Sequence, residues 1–154
     1  MLTLSYFDQR EKMHTSIEIP KDAKVYLNKP YVQVFWSPIN KILTSRWTGF
    51  CTYDEIIAVA QRIIDAVTFE GARKVLYDAR EIEVLDEQSQ KYIAGDFTKE
   101  MIKVGIEYSA TVSPTDVFAK FSLDDIQSAI KIAEASKNKF FQDVDEAFNW
   151  LLSK

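Results

Sequence analysis

Few side chains in this sequence could carry out chemistry. The chain has one cysteine, Cys51, and one histidine, His14, and the two lie far apart in the sequence. A single thiol cannot form an internal disulfide, and one histidine cannot supply the ligands of a typical zinc site. Cys51 stands near a predicted helix start, where a thiol pKa can fall, but no histidine base lies close to it in the sequence. We therefore predict no catalytic residue, no metal site and no cofactor.

The remaining candidates follow an apolar stretch near the middle of the chain. Asp78 ends this stretch, where α/β proteins present groups to ligands, and the simpler alternative is that it satisfies a nearby loop. The acidic residues after it lack the Asp-x-Asp-x-Asp-Gly order of a calcium loop, which indicates a solvated acidic loop. A serine near the next helix start is a candidate phosphorylation site. We predict a docking surface, not a catalytic centre, made by Asp78, Arg80, Glu83, Asp86, Glu87 and Ser89.

Composition limits the classes of protein to which this chain can belong. A chain of 154 residues with 47% hydrophobic residues and only 4 Gly and 4 Pro is typical of one globular domain. The net charge of -4 opposes binding to nucleic acid, and no apolar run approaches the length of a membrane span. The first residues do not resemble a signal peptide. We predict a cytoplasmic protein with no nucleic-acid partner and no membrane insertion.

Two β-rich runs open the predicted domain. Residues 31–36 and 42–47 are joined by a short turn-like connector, a pattern that predicts an antiparallel hairpin. Thr52 followed by Glu55 is a helix-start signature, apolar residues then recur at helical spacing, and Gly71 supplies a stop. Residues 1–23 are mixed and weakly periodic, so we expect an N-terminal arm or edge strand there and one domain over residues 24–154.

Strands and helices then alternate. Short strands centred on Val75, Tyr108 and Phe140 are 33 and 32 residues apart, which is close to the length of a βαβ unit. Between them we predict a helix that begins at Asp86 and ends before Gly105, and a second helix that begins near residue 122. A last helix is expected to begin near residue 143. Because βαβ crossovers are right-handed, the pattern predicts an α/β fold with a single mixed sheet: an antiparallel hairpin plus parallel strands, packed with helices.

Three stretches resemble small SpoIIAA-like proteins of bacterial genomes, part of the superfamily that includes STAS domains. They are ILTSRWTG at 42–49, followed by YDE at 53–55; KVLYDAR at 74–80; and FFQDVDEAFNWL at 140–151. The resemblance covers roughly residues 25–152. It implies a SpoIIAA-like fold and a regulatory protein partner.

One stretch departs from the pattern of the anti-sigma-factor antagonists in that superfamily. Those proteins carry a phosphorylatable serine in an Asp-Ser-Ser-Gly motif at the start of the helix after the central strand. Here the sequence is Asp86-Glu87-Gln88-Ser89, so both serine positions are occupied by other residues. Only a shift of one residue would make Ser89 the acceptor.

Two functions remain open from the sequence. The first is a non-enzymatic regulatory or protein-interaction module of STAS-like type, with a protein partner and with a homodimer left open. The alternative is a small-molecule or lipid-binding domain with a cleft between sheet and helices near Asp78, Arg80 and aromatic residues that we otherwise expect in the core. We favour the first, because the fold is the best-supported inference and every catalytic constellation is missing, and enzyme activity is a third, weaker option.

Overall fold

The computed structural model describes residues 19–83, 85–113 and 137–154. The strands in these ranges are β1 (Lys24–Lys29), β2 (Val32–Ser37), β3 (Ile42–Gly49), β4 (Lys74–Ile82), β5 (Tyr108–Val112) and β6 (Asn138–Phe141). The helices are α1 (Tyr53–Glu70), α2 (Glu87–Tyr92), α3 (Thr98–Lys103) and α4 (Val144–Leu152), with a π-helical segment (Ile93–Phe97) between α2 and α3. None of these helices is long and apolar enough to cross a lipid bilayer.

The strands of the described residues form one six-stranded mixed sheet in the order β1-β2-β3-β4-β5-β6. The hairpin of β2 and β3 is antiparallel, whereas β3, β4, β5 and β6 are mutually parallel. These pairings confirm the predicted α/β class, the hairpin and the parallel strands. Strand β1, antiparallel to β2, was not predicted, because its sequence KVYLNK is largely exposed and carries no buried apolar alternation.

Helix α1 begins and ends as its sequence predicts. Thr52 Oγ1 accepts a hydrogen bond from the Glu55 amide at 3.2 Å, and Glu55 Oε1 accepts one from the Thr52 amide at 2.9 Å. Gly71 closes the helix with φ 65°, a left-handed conformation that glycine adopts without strain. The helix buries one apolar stripe against the sheet, including Val59, Ile63 and Val67.

The sheet has two differently covered faces. On one face, α1 packs over Val34, Leu43 and Val75, together with buried side chains of the π-helical segment and α3. On the other face, α4 places Ala147 and Leu151 against apolar side chains of β3, β4 and β5. We call these the α1 face and the α4 face. Because side chains alternate along a strand, each strand contributes to both faces.

The helix predicted from Asp86 to just before Gly105 is interrupted. Asp86 is its N-cap as expected, but the helix changes to a π-helical turn at residues 93–97 before α3 resumes. The Thr98 hydroxyl donates to the Ile93 carbonyl at 2.6 Å, five residues back. A π-helical turn admits an extra residue, so it changes the direction in which the following side chains project.

Two of the sequence predictions concern residues outside the described ranges. Most of the expected N-terminal arm, residues 1–18, and the helix expected near residue 122 both fall there. The division into an arm of residues 1–23 and a domain of residues 24–154 therefore stays a prediction.

Candidate functional site

A cavity of about 550 Å³ lies on the α1 face, between the helices and the sheet. Helix α1 lines it with Ile56, Ala60 and Ile63, and the helices after β4 line it with Phe97 and Met101 among other apolar side chains. Ligand pockets in proteins typically enclose roughly 300–1,000 Å³. The cavity thus has the size and the apolar helical wall of a small-molecule site.

The sheet side of the cavity is partly polar. Strand β4 contributes Tyr77 and Ala79, while β5 contributes Ser109 and Thr111 and β6 contributes Asn138. Ser109 and Asn138 are direct neighbours in the parallel pairing of β5 and β6. Hydroxyl and amide groups therefore stand together on one part of a wall that is otherwise apolar.

The π-helical segment shapes the helical wall. Ile93 and Phe97, one at each end of this segment, both line the cavity, and Thr98 follows them. The Phe97 ring packs edge-on to Tyr77 with a centroid distance of 6.2 Å. Burial raises the pKa of Tyr77, so this phenol is a neutral hydrogen-bonding group at physiological pH. The π-helical segment thus places two large apolar side chains, Ile93 and Phe97, in the wall of one cavity.

Asp78 and Arg80 lie on the α4 face, opposite the cavity. Asp78 is 2% exposed and accepts hydrogen bonds from Arg80 Nε and Nη2, each at 2.9 Å. This two-point contact raises the pKa of Arg80, because it favours the charged guanidinium. The cavity lies on the other side of β4, at Tyr77 and Ala79, so Asp78 and Arg80 do not line it.

A second arginine stands beside this pair. Arg46 of β3 is 4% exposed and is the direct neighbour of Asp78 across the parallel pairing. Burial lowers the pKa of Arg46, and the negative charge of Asp78 opposes that change. The guanidinium carbon lies 5.8 Å from the centre of the Phe35 ring. The two arginines and one carboxylate form a charged cluster on β3 and β4 in which Asp78 and Arg46 are buried.

Asp86 and Ser89 form the first turn of α2. Asp86 Oδ1 accepts from the Ser89 amide at 2.7 Å, and Asp86 Oδ2 accepts from the Ser89 hydroxyl at 3.0 Å. Ser89 is fully buried, so its hydroxyl does not meet solvent in this conformation. Both residues act as a helix cap here, which accounts for their spacing in the sequence.

Glu83 and Glu87 are the two exposed residues of the predicted docking set. The Glu83 amide donates to the Gly49 carbonyl at 3.0 Å, which fixes the loop beside the end of β3. Glu87 is 84% exposed and lies 3.4 Å from Lys91. Phe50, next to Gly49, is 55% exposed. The structure thus separates the six predicted residues into an ion pair with a buried carboxylate, a helix cap and two exposed carboxylates.

Cys51 lies between the exposed Phe50 and the N-cap of α1, and it is buried. It is 1% exposed, and burial raises the pKa of its thiol to about 12, with smaller contributions from Glu55 and Glu83. A helix start can lower a thiol pKa, but the pKa of Cys51 is raised, because burial disfavours the charged thiolate. The thiol is unsuited to act as a nucleophile at neutral pH.

Most cavity residues were predicted only as core, because apolar periodicity is identical for a packed core and for a cavity wall. One signal was available in β5. Its sequence YSATV places Ser109 and Thr111 on one face of a strand that the βαβ pattern predicts to be buried on both faces. Polar side chains at such positions indicate either a buried network or a ligand.

The described ranges contain no group of three or more His, Cys, Asp and Glu residues placed to hold a metal ion. The titratable groups lining the cavity within these ranges are Tyr77, Glu107 and Lys137. Glu107 is engaged in an ion pair with Arg73, and this contact lowers the pKa of the Glu107 carboxyl.

Comparison with known proteins supports the fold. No family model matches the chain, and no curated protein matches it. Among solved structures, it is similar to the anti-sigma factor antagonist SpoIIAA in its unphosphorylated form, with a TM-score of 0.50 and 8% identity over 84% of this chain and 96% of that one.

A second similar structure is an uncharacterised protein of the DUF3478 family with a SpoIIAA-like fold from Shewanella loihica PV-4. Its TM-score is 0.48, with 16% identity over 84% of this chain and 91% of that one. The order and directions of the described strands and the likeness to SpoIIAA together show that this chain has a SpoIIAA/STAS-like fold.

Proposed function

We propose that this chain is a non-enzymatic regulatory domain of the cytoplasm that binds an apolar small molecule in the α1-face cavity. The cavity itself carries the proposal: about 550 Å³ of space, an apolar helical wall, and a few polar groups on the sheet side. The regulatory part of the proposal is supported by the fold, since SpoIIAA is an anti-sigma factor antagonist.

The physical basis is desolvation. A ligand that replaces water against Ile63, Phe97 and Met101 gains the transfer free energy of its own apolar surface, about 25 cal/mol for each Å² removed from water. The polar groups on β5 and β6 limit which ligands fit, because a buried hydroxyl or amide must find a hydrogen-bond partner. Affinity and selectivity thus come from different walls of one cavity.

A neutral probe tests the proposal. N-phenyl-1-naphthylamine fluoresces in apolar surroundings, so titration with it should give saturable binding to the native protein. Ala60→Phe, which places a ring in the cavity, should weaken this binding at least tenfold. Ala58→Phe is the matched control, because Ala58 is exposed on the same helix. Native mass spectrometry of the gently purified protein should also show a bound small molecule.

If the probe binds to the Ala60→Phe protein as tightly as to the native one, the cavity is not the binding site. If no probe binds to the native protein, the space is filled by the chain itself and the proposal fails.

The exposed carboxylates support a second candidate function, docking of a basic protein. Glu83, Glu87 and Asp54 are exposed, and the backbone hydrogen bond from Glu83 to Gly49 brings Glu83 near the exposed Phe50. An exposed aromatic side chain with an exposed carboxylate near it suits a basic partner segment with an apolar anchor. Asp86 and Ser89 would support this surface by shaping the first turn of α2, and Asp78 and Arg80 by holding the end of β4.

Charge reversal tests this candidate. The double variant Glu83→Lys with Glu87→Lys should keep its melting temperature and recover less partner in pull-downs from the source cell. Glu100→Lys with Glu146→Lys is a matched control, because both of these glutamates are exposed on other helices. If the first double variant unfolds, or if it retains every partner at native strength, the loop has no docking role.

A further inference from the structure

The sheet wall of the cavity carries three hydroxyl groups. Tyr77 of β4 is the direct neighbour of Thr111 across the parallel pairing, and Ser109 precedes Thr111 by two residues. All three side chains therefore lie on the same face of the sheet, where neighbouring strands are about 4.8 Å apart. A small molecule in the cavity can meet more than one of these hydroxyl groups.

In the part of the chain that the structure describes, none of the three hydroxyl groups forms a hydrogen bond to another residue. Thr111 is only 7% exposed, and burial raises the pKa of Tyr77, so the phenol keeps its proton at neutral pH. A polar group that is removed from bulk water and left without a partner is costly. A ligand that hydrogen-bonds to these hydroxyl groups would remove that cost.

The charged groups of the cavity lining cancel. In the described ranges they are the Glu107 carboxylate and the Lys137 ammonium, whose charges sum to zero. Glu107 is paired with Arg73. The Lys137 ammonium lies 5.4 Å from the centre of the Tyr108 ring, which packs on the α4 face. An ion that entered the cavity would lose its water without gaining a counter-ion, so the lining favours an uncharged ligand.

Resting on the function proposed above, we propose that the ligand is an uncharged apolar molecule with one carbonyl group, a ketone or an ester, whose oxygen accepts a hydrogen bond from the Tyr77 hydroxyl. A phenol donates hydrogen bonds better than it accepts them, because its oxygen shares electrons with the ring. A carbonyl oxygen only accepts, and Thr111 beside Tyr77 offers a donor for its second lone pair. The apolar part of the ligand matches the helical wall that includes Ile63 and Met101.

Three probes with the same heptyl chain separate the end group from the chain. Nonan-2-one carries the carbonyl group, 2-methylnon-1-ene has CH2 in place of the carbonyl oxygen, and octanoate has a charged oxygen in place of the methyl group. Each is titrated at pH 8 as a competitor of N-phenyl-1-naphthylamine. For the native protein we expect octanoate to bind roughly tenfold more weakly than nonan-2-one, because its charge must lose hydration.

Two tyrosine variants identify the donor. Tyr77→Phe should weaken the binding of nonan-2-one roughly fivefold, which is the usual net gain of one neutral hydrogen bond, and should leave that of 2-methylnon-1-ene unchanged. Tyr92→Phe is the matched control, because the Tyr92 ring also packs against Phe97 but does not line the cavity. Both affinities should remain native in the Tyr92→Phe protein.

Stability without ligand gives an independent measurement. The Tyr77 hydroxyl has no hydrogen-bond partner in the described ranges, so Tyr77→Phe should unfold in urea at the native midpoint. A clear loss of stability would show that this hydroxyl is already bonded within the protein, and it would overturn the inference.

The remaining outcomes distinguish the two proposals. If none of the probes displaces the dye, the apolar-ligand function and the carbonyl inference both fail. If Tyr77→Phe binds nonan-2-one as tightly as the native protein does, or if octanoate binds as tightly as nonan-2-one, the carbonyl inference alone is overturned and binding of apolar ligands stands.

Discussion

Filling the cavity from within should stabilise the protein. Ala60 is 4% exposed and lines the cavity from α1, where leucine has nearly the helix propensity of alanine. Ala60→Leu adds three carbons, and burying them is worth about 2.4 kcal/mol at about 0.8 kcal/mol each. Fixing the longer side chain costs about 0.5–1 kcal/mol. We expect the free energy of unfolding to rise by roughly 1.5 kcal/mol, and the melting temperature by about 3–6 °C.

The same change on the other face of the sheet is the control. Ala110 is fully buried in β5 and packs beneath α4 with Ile42, Leu76 and Leu151. Leucine at this position must displace its neighbours, which costs about 1–3 kcal/mol. Urea unfolding of both variants, analysed by linear extrapolation, measures the difference. Equal losses of stability in Ala60→Leu and Ala110→Leu would refute the reasoning, since they would mean that the cavity has no room for a larger side chain.

Three further experiments test other features of the structure. Thr52→Ala removes the capping box of α1 and should lower the free energy of unfolding by about 1 kcal/mol in urea titrations, whereas no change would show the cap to be dispensable. Cys51, with a pKa of about 12, should resist 5,5′-dithiobis(2-nitrobenzoate) at pH 8 until the protein unfolds, and rapid native labelling would contradict its burial. Arg80→Ala leaves the buried carboxylate of Asp78 without its two-point partner and should cost about 2 kcal/mol, less than for a fully buried pair because a quarter of the Arg80 side chain is exposed. Arg73, which pairs with Glu107, is exposed, so the control variant Arg73→Ala should leave the free energy of unfolding unchanged. Similar losses in both arginine variants would contradict a special role for the pair of Asp78 and Arg80.

The fold could be predicted from the sequence where local signals, such as helix caps and apolar runs, are strong. The capping residues Thr52, Asp86 and Asp143 each begin a helix in the structure as the sequence predicts. The parallel strands were readable from short apolar runs at βαβ spacing. Strand β1 was not readable, because an edge strand exposes most of its side chains, and the π-helical turn at 93–97 has no distinctive composition.

The candidate site was harder to predict from the sequence, because the alternation of side chains along a strand does not show which face of the sheet carries a cavity. The sequence shows that Tyr77 and Asp78 point to opposite faces of β4, but it does not show which face leaves space beneath the helices. Its charge and its place at the end of β4 made Asp78 a candidate for ligand binding. In the structure, Asp78 binds Arg80 instead. The cavity depends instead on how α1 and the segment after β4 are held apart, which is a property of three-dimensional packing.

The strand order has a consequence for how the chain folds. In the described sheet, every strand after β1 pairs with the strand that precedes it in the sequence. Each pairing therefore needs only the most recent segment of chain and no later one, so the sheet can grow from β1 toward β6 in the order of synthesis. Pairing strands that are neighbours in the sequence closes shorter loops than pairing distant strands would, which lowers the entropic cost of each step. A nascent chain would expose its newest edge strand at each stage, and the site that joins β5 to β6 would be the last to form.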